Sequence, residues 1–291
     1  TGKDGTTDWQ VQHGPFTEET YNTLPESHWT LLVQAVDHYI DEIAELKKAF
    51  SFIPSWRLDD VMISYATTGG NVGPHFDQYD VFLIQACGKR RWKIGQQCNN
   101  STALTENQNV KILQEFRQDN EYVLEPGDIM YVPPGCAHWG IAESDDCITI
   151  SIGFRAPSHE EIIAQLCDDV ASQLQDDLRY QDVAINPGQH PAEISQAVLD
   201  NVANIVKQHL MNNEAILHSF GKLMTEPKYV DEQEPHITND EVLYKRLDTR
   251  IAYYKNAETL TVFVNGKALQ TNTPPEQLIH RSTASYSIDR T

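Results

Sequence analysis

Apolar positions along this chain change their spacing twice. From Trp29 to Phe50 they fall at Leu32, Val33, Val36, Ile40, Ile43 and Phe50, mostly three or four apart, which predicts an amphipathic helix closed off by Pro54. From about Asp60 to Phe154 the pattern becomes short runs rich in β-branched and aromatic residues: VMISYA, VFLIQAC, RWKIG, EYVL, IMYVP and CITISIGF. The stretches between them, such as TTGGNVG, EPGD and PPG, are turn formers. Many short strands punctuated in this way predict an all-β sandwich or barrel.

Helical spacing returns at Ser158. SHEE reads as a capping box, with Ser158 as N-cap and Glu161 at the third helical position, and Ile162, Ile163, Leu166, Val170 and Leu174 continue one apolar face. Pro187 and Pro191 interrupt it; Ile194, Val198, Val202, Ile205 and Val206 resume it in a second helix, and a third is expected from Glu214 to Met224. A helical zone this apolar must pack on something, and a second copy of the chain is the expected partner, giving a homodimer. TEPKYVDEQEPHITNDE then reads as an acidic linker, followed by a helical run, EVLYKRL, and a hairpin, LTVFVNGKAL, turning at Asn265-Gly266. The final HRSTASYSIDRT reads as unfinished. These zones set expected boundaries at 1–157, 158–225 and 226–291.

Composition narrows the class. With 40% apolar and 22% charged residues over 291 positions the chain is globular, and no apolar run reaches the roughly 20 residues of a membrane helix. No signal-peptide pattern opens the chain, although its first residues, TGKDGTTDWQ, lack a methionine. The five cysteines form no C-x-x-C pair, which speaks against a disulfide framework or a zinc knuckle and for a reducing, cytoplasmic setting. A formal charge of −20 disfavours direct nucleic acid binding and suits a basic protein partner, though solubility alone explains it equally well.

The chemistry gathers in GPHFDQYDVFLIQACGKRRW and, later, EPGDIMYVPPGCAHWG. His75 follows a glycine-rich loop and reads as the beginning of a strand, where residues two apart face the same side, so His75 and Asp77 point together into the barrel. His138 follows 63 residues after His75, far enough to return through the opposite sheet. Two neutral imidazoles and one carboxylate on one face leave three positions open on an octahedral ion, an arrangement suited to non-haem Fe(II). Each residue alone has an ordinary reading, a satisfied core histidine or a turn-capping aspartate; the constellation weighs more than its members.

These stretches, together with ITISIGFRAP, resemble the JmjC-type 2-oxoglutarate oxygenases of the cupin superfamily, and most of all the bacterial ribosomal oxygenase group. The resemblance implies a mainly β fold, the double-stranded β-helix or cupin jelly roll, followed by a helical dimerisation region and a small winged-helix-like module. It implies iron ligands at His75, Asp77 and His138, with 2-oxoglutarate and dioxygen as co-substrates. Oxidative decarboxylation to succinate and carbon dioxide would drive hydroxylation of an unactivated carbon, in this group an arginine of large-subunit ribosomal protein sixteen. Arg90 falls where the family places the basic residue that pairs with the distal carboxylate of 2-oxoglutarate; a solvated turn is the ordinary reading of Lys89, Arg90 and Arg91. Ser64 and Ser151 match cofactor-contacting positions, and Thr149 shares the face of Ser151, yet each hydroxyl can equally bond local backbone. Tyr79 and Trp139 flank the ligands and offer an aromatic wall for a substrate guanidinium, against ordinary core packing. Three rivals remain: a lysine demethylase using the same iron site, a metal-binding cupin enzyme that does not use 2-oxoglutarate, and a winged-helix DNA-binding protein with a relict barrel.

Overall fold

A computed structural model describes residues 10–106, 111–182, 190, 192–229, 246–256 and 259–270. The chain divides into two compact units, Thr1–Ala156 and Pro157–Thr291.

The first unit opens with a short helix, α1 (Glu18–Asn22), a strand, β1 (Thr30–Val33), and a second short helix, α2 (Asp41–Leu46), flanked by 3-10 turns at Val36–His38 and Lys47–Phe50. The helix predicted from Trp29 to Phe50 is therefore not continuous. Its first apolar pair, Leu32 and Val33, lies in β1, which pairs antiparallel with the strand β2 (Leu58–Ala66). Ala35 then adopts a left-handed conformation, φ 53°, which no helix tolerates. Its N–H donates to Asp60, while the buried Asp37 carboxylate accepts the Val61 N–H and pairs with Lys47, so the turn is fastened to β2. Ile43, Leu46 and Phe50 keep their apolar role and pack with Val61, Ile152 and Phe154.

Beyond β2 come β3 (Val81–Cys87), β4 (Arg90–Gln97), β5 (Gln118–Leu124), β6 (Ile129–Val132), β7 (Cys136–Ala142) and β8 (Cys147–Phe154). They form two sheets, one of five strands in the order β1-β2-β8-β3-β6 and one of three in the order β5-β4-β7. Strand alternation gives each sheet an inner face. Val81 and Leu83 from the larger sheet pack with Trp92 and Leu124 from the smaller, and Ala66 and Cys147 meet Ala142. Side chains at the intervening positions, Phe82, Ile84, Ile150, Ile152 and Phe154, turn outward onto the Ile43–Phe50 segment. The strand runs predicted a sandwich or barrel, and the two facing sheets form the jelly roll that the resemblance implied. The strand β7 itself was not legible as one.

In the second unit α3 (His159–Ala171) starts at the predicted capping box: Ser158 Oγ accepts the Glu161 N–H at 3.0 Å and the Glu161 carboxylate accepts the Ser158 N–H at 2.6 Å. It is followed by α4 (Gln196–Leu210) and α5 (Asn213–Thr225). Pro187 and Pro191, most of the acidic linker and most of EVLYKRL lie outside the described residues. A three-stranded sheet follows, β9 (Ile251–Lys255), β10 (Leu260–Val264) and β11 (Lys267–Gln270), in the order β11-β10-β9. Asn265 and Gly266, at φ 47° and 75°, make the two-residue hairpin turn expected of Asn-Gly. β9 is an addition to the predicted hairpin. Gly221 of α5 lies so close to Phe263 that a Cβ would meet the ring at 2.5 Å.

Candidate metal and co-substrate site

His138 occupies an inward position of β7, opposite Ile94 of β4. His75 reaches the same place differently from the predicted strand start. It lies on the loop between β2 and β3 and makes a single bridge to β7, its N–H donating to the His138 carbonyl at 3.0 Å and receiving the His138 N–H on its own carbonyl at 2.8 Å. Two residues on, the Asp77 carbonyl accepts the Gly135 N–H at 2.7 Å. The loop is thus laid along β7, and the glycine-rich stretch before it is held by Asn71, whose Oδ1 accepts the Gly73 N–H.

The side chains converge. One ligating atom from each of His75, Asp77 and His138 lies within 4.8 Å of the others, and the two imidazole centroids are 4.2 Å apart. Both rings present Nδ1 to a backbone carbonyl, Gly73 at 2.9 Å and Cys136 at 3.0 Å. A carbonyl only accepts, so Nδ1 carries the hydrogen and Nε2 keeps its lone pair for a metal. His138 Nε2 is 3.7 Å from the Asp77 carboxylate. Burial, reinforced by the neighbouring His75, lowers the pKa of His138 to about 4, so it is neutral, the form that ligates. The donor set of two imidazoles and one carboxylate fits a divalent transition metal with open positions.

Behind the trio the barrel interior turns polar. Along β4 the residues Arg90, Trp92 and Ile94 face inward in sequence. Lys89 and Arg91 face out, to Glu125 in one case and to Glu121 and Glu143 in the other. Arg90 is 3% exposed; its Nε reaches Cys147 Sγ at 3.4 Å, and its Nη2 has no hydrogen-bond partner among the described residues. A guanidinium kept dry with a donor unspent suits an anionic guest. Across the larger sheet Ser64, Thr149 and Gln85 stand in one register row, all buried, with Thr149 Oγ1 donating to Gln85 Oε1 at 2.9 Å. Gln85 Nε2 in turn reaches Cys147 Sγ at 3.4 Å, which joins this row to Arg90. Ser151 sits buried in the next row, opposite Met62 and Leu83.

The two aromatic candidates do not come together as a wall. Tyr79 is 41% exposed, and its phenol is held well above the ordinary value by burial and by Asp77, whose charge and hydrogen bond act on it. Trp139 follows His138 on the strand and faces the other way; its indole N–H donates to Asn71 Oδ1 at 3.0 Å, Phe116 meets it edge-on and Lys93 lies 5.0 Å over its ring. Gln85 and Trp92 were not among the predicted site residues. Alternation marks both, since a glutamine in step with Val81 and Leu83, or a tryptophan in step with Arg90, must face the interior.

Comparison with known proteins agrees with this architecture. The JmjC domain profile matches residues 45–162, which include the whole trio and Arg90. The X-ray structure of E. coli ycfD superposes with a TM-score of 0.84 at 31% identity, covering 97% of this chain and 76% of that one. The chain belongs to the JmjC family. Among curated relatives, the E. coli ribosomal protein uL16 3-hydroxylase is 37% identical over 237 residues, 80% of this chain and 62% of its own length. A probable ribosomal oxygenase of Haemophilus influenzae is 44% identical over 157 residues, 54% of this chain and 38% of its own. This JmjC chain thus spans less than two thirds of the length of either. The E. coli ribosomal oxygenase YcfD has also been solved with cobalt and 2-oxoglutarate, a structure that superposes with a TM-score of 0.80 at 31% identity, covering 97% of this chain and 76% of that one.

Proposed function

We propose that this chain is an Fe(II)- and 2-oxoglutarate-dependent protein hydroxylase, acting on an arginine side chain of a large-subunit ribosomal protein. The observation that carries the reading is the pairing of an open-faced His75–Asp77–His138 trio with a buried guanidinium, Arg90, whose Nη2 is unspent. Iron bound by the trio would supply the oxidising chemistry, converting dioxygen, 2-oxoglutarate and a substrate C–H to carbon dioxide, succinate and C–OH. The chain's own part is orientation. Gly73 and Cys136 fix the imidazoles, Arg90 receives the distal carboxylate, and Ser64, Thr149 and Ser151 offer hydroxyls in the same interior. A basic ribosomal protein suits the charge of −20, so binding should weaken with salt, and a ribosomal substrate sets the enzyme in the cytoplasm.

The helical part supports a homodimer. Leu199, Val202, Ile205 and Val206 of α4 recur at helical spacing and are all exposed, Leu199 at 52%. Light scattering on the full chain should give twice the monomer mass, and a monomer would refute this part of the reading.

The activity is tested by mass spectrometry of arginine-bearing ribosomal-protein peptides incubated with the protein, Fe(II), 2-oxoglutarate and ascorbate. Gain of one oxygen on arginine, absent with His75→Ala, is expected. Formaldehyde from a methylated lysine would instead favour a demethylase, and unchanged activity of Arg90→Ala would favour a cupin enzyme that does not use 2-oxoglutarate.

A further inference from the structure

Among the described residues two buried side-chain nitrogens lack a hydrogen-bond partner, Nη2 of Arg90 and Nε1 of Trp92. They belong to one strand and, two residues apart, to one face of it. Other indoles are satisfied: Trp29 donates to the Pro25 carbonyl at 2.8 Å and Trp139 to Asn71 at 3.0 Å. Trp92, only 5% exposed, is more deeply buried than either, and a buried donor left unmade is costly.

Its place in the barrel suggests what it serves. The indole ring lies 5.9 Å from the Arg90 guanidinium and 5.9 Å from the His138 ring, so it neighbours both the anion-receiving group and the metal-binding trio. Nor can it turn aside. Its six-membered edge rests on Gly140, where a Cβ would come within 2.6 Å of Cη2, and Val81, Leu83, Leu124 and Val132 complete its seat.

We infer that Trp92 is a co-substrate-binding residue, its indole N–H donating, beside Arg90, to the distal carboxylate of a bound 2-oxo dicarboxylic acid. A carboxylate offers more acceptor sites than one guanidinium fork fills, and the neutral indole adds a donor without adding charge. The inference rests on the 2-oxoglutarate reading above and names a further residue of that site.

The test uses the full chain with indole-labelled tryptophan, loaded with Zn(II) so that no turnover occurs. The chain has five tryptophans, and the Trp92 resonance is assigned by elimination with the other four changed singly to Phe. Adding 2-oxoglutarate should move the Trp92 N–H downfield and slow its solvent exchange; pyruvate, which lacks the distal carboxylate, should not. In calorimetry on the Mn(II)-loaded protein, Trp92→Phe should weaken 2-oxoglutarate binding about ten- to a hundredfold, leaving metal and pyruvate affinity unchanged. A stationary resonance, an unchanged 2-oxoglutarate affinity, or an equal loss for pyruvate would overturn the inference while leaving the proposed activity standing. A wild-type protein that binds no 2-oxoglutarate would overturn both. Should Trp92→Phe fail to fold, the wild-type resonance decides alone.

Discussion

Replacing Arg90 by methionine should leave stability nearly unchanged while weakening co-substrate binding. The guanidinium is buried, and among the described residues its Nη2 is unpaired, a penalty of about 1–3 kcal/mol for an unmade buried hydrogen bond. Against this stand a weak contact to Cys147 Sγ and a buried cation–π contact to Trp92 at 5.9 Å, the latter contributing about 2 kcal/mol. Methionine has similar length and no donor. Chemical denaturation of metal-free Arg90→Met should therefore show a protein within about 1 kcal/mol of wild type. Binding should change far more. A guanidinium fork makes two charge-assisted hydrogen bonds to a carboxylate, each about 1.5–3 kcal/mol, so 2-oxoglutarate affinity should fall roughly a hundredfold to ten-thousandfold by calorimetry on the Mn(II)-loaded protein. A variant that loses stability while keeping its affinity would refute the reasoning, because Arg90 would then be a structural residue.

Other substitutions test separate parts of the fold. Gly140→Ala drives a methyl against the Trp92 ring, and should cost about 1–3 kcal/mol by denaturation and weaken 2-oxoglutarate binding along with it. Ser158→Ala removes the hydroxyl that caps α3 and should cost about 1 kcal/mol by the same measurement. Asp169, 3.2 Å from Lys222, ties α3 to α5; burial pushes its carboxyl up, but hydrogen bonds from Ser219, Gln165 and Lys222 prevail and hold it below the ordinary value. Its stabilisation is therefore complete above the ordinary carboxylate pKa, about 3.9, and lost as pH falls through the lower folded value. The melting-temperature gap between wild type and Asp169→Asn should be widest near neutrality and close in acid; a gap that widens in acid would contradict this.

The barrel was legible in the sequence because its strands alternate cleanly and its turns are written in Gly, Pro, Asn and Asp. β7 escaped notice since Cys136–Ala142 mixes small, aromatic and polar residues, and its pairing with β4 supplies what its composition lacks. The segment from Trp29 to Phe50 misled for a different reason. Apolar residues three and four apart can be met by a strand, a left-handed residue and three short helical pieces, and the buried Asp37 and Asp60 contacts choose between these. His75, Asp77 and His138 could be named from their motif, but the carbonyls that set their tautomers could not. The polar lining is harder still to read from sequence. Ser64, Thr149 and Gln85 meet only through sheet register, and the unspent donors of Arg90 and Trp92 become visible only when every neighbour is in place.

The most direct test of the central claim follows the oxygen atoms. The protein is incubated with Fe(II), 2-oxoglutarate and an arginine-bearing ribosomal peptide under isotopically heavy dioxygen. One heavy oxygen should enter the peptide and one the succinate, with neither product formed by His75→Ala. Heavy oxygen absent from both products, or a peptide modified without succinate, would contradict the assignment of this barrel as a 2-oxoglutarate oxygenase.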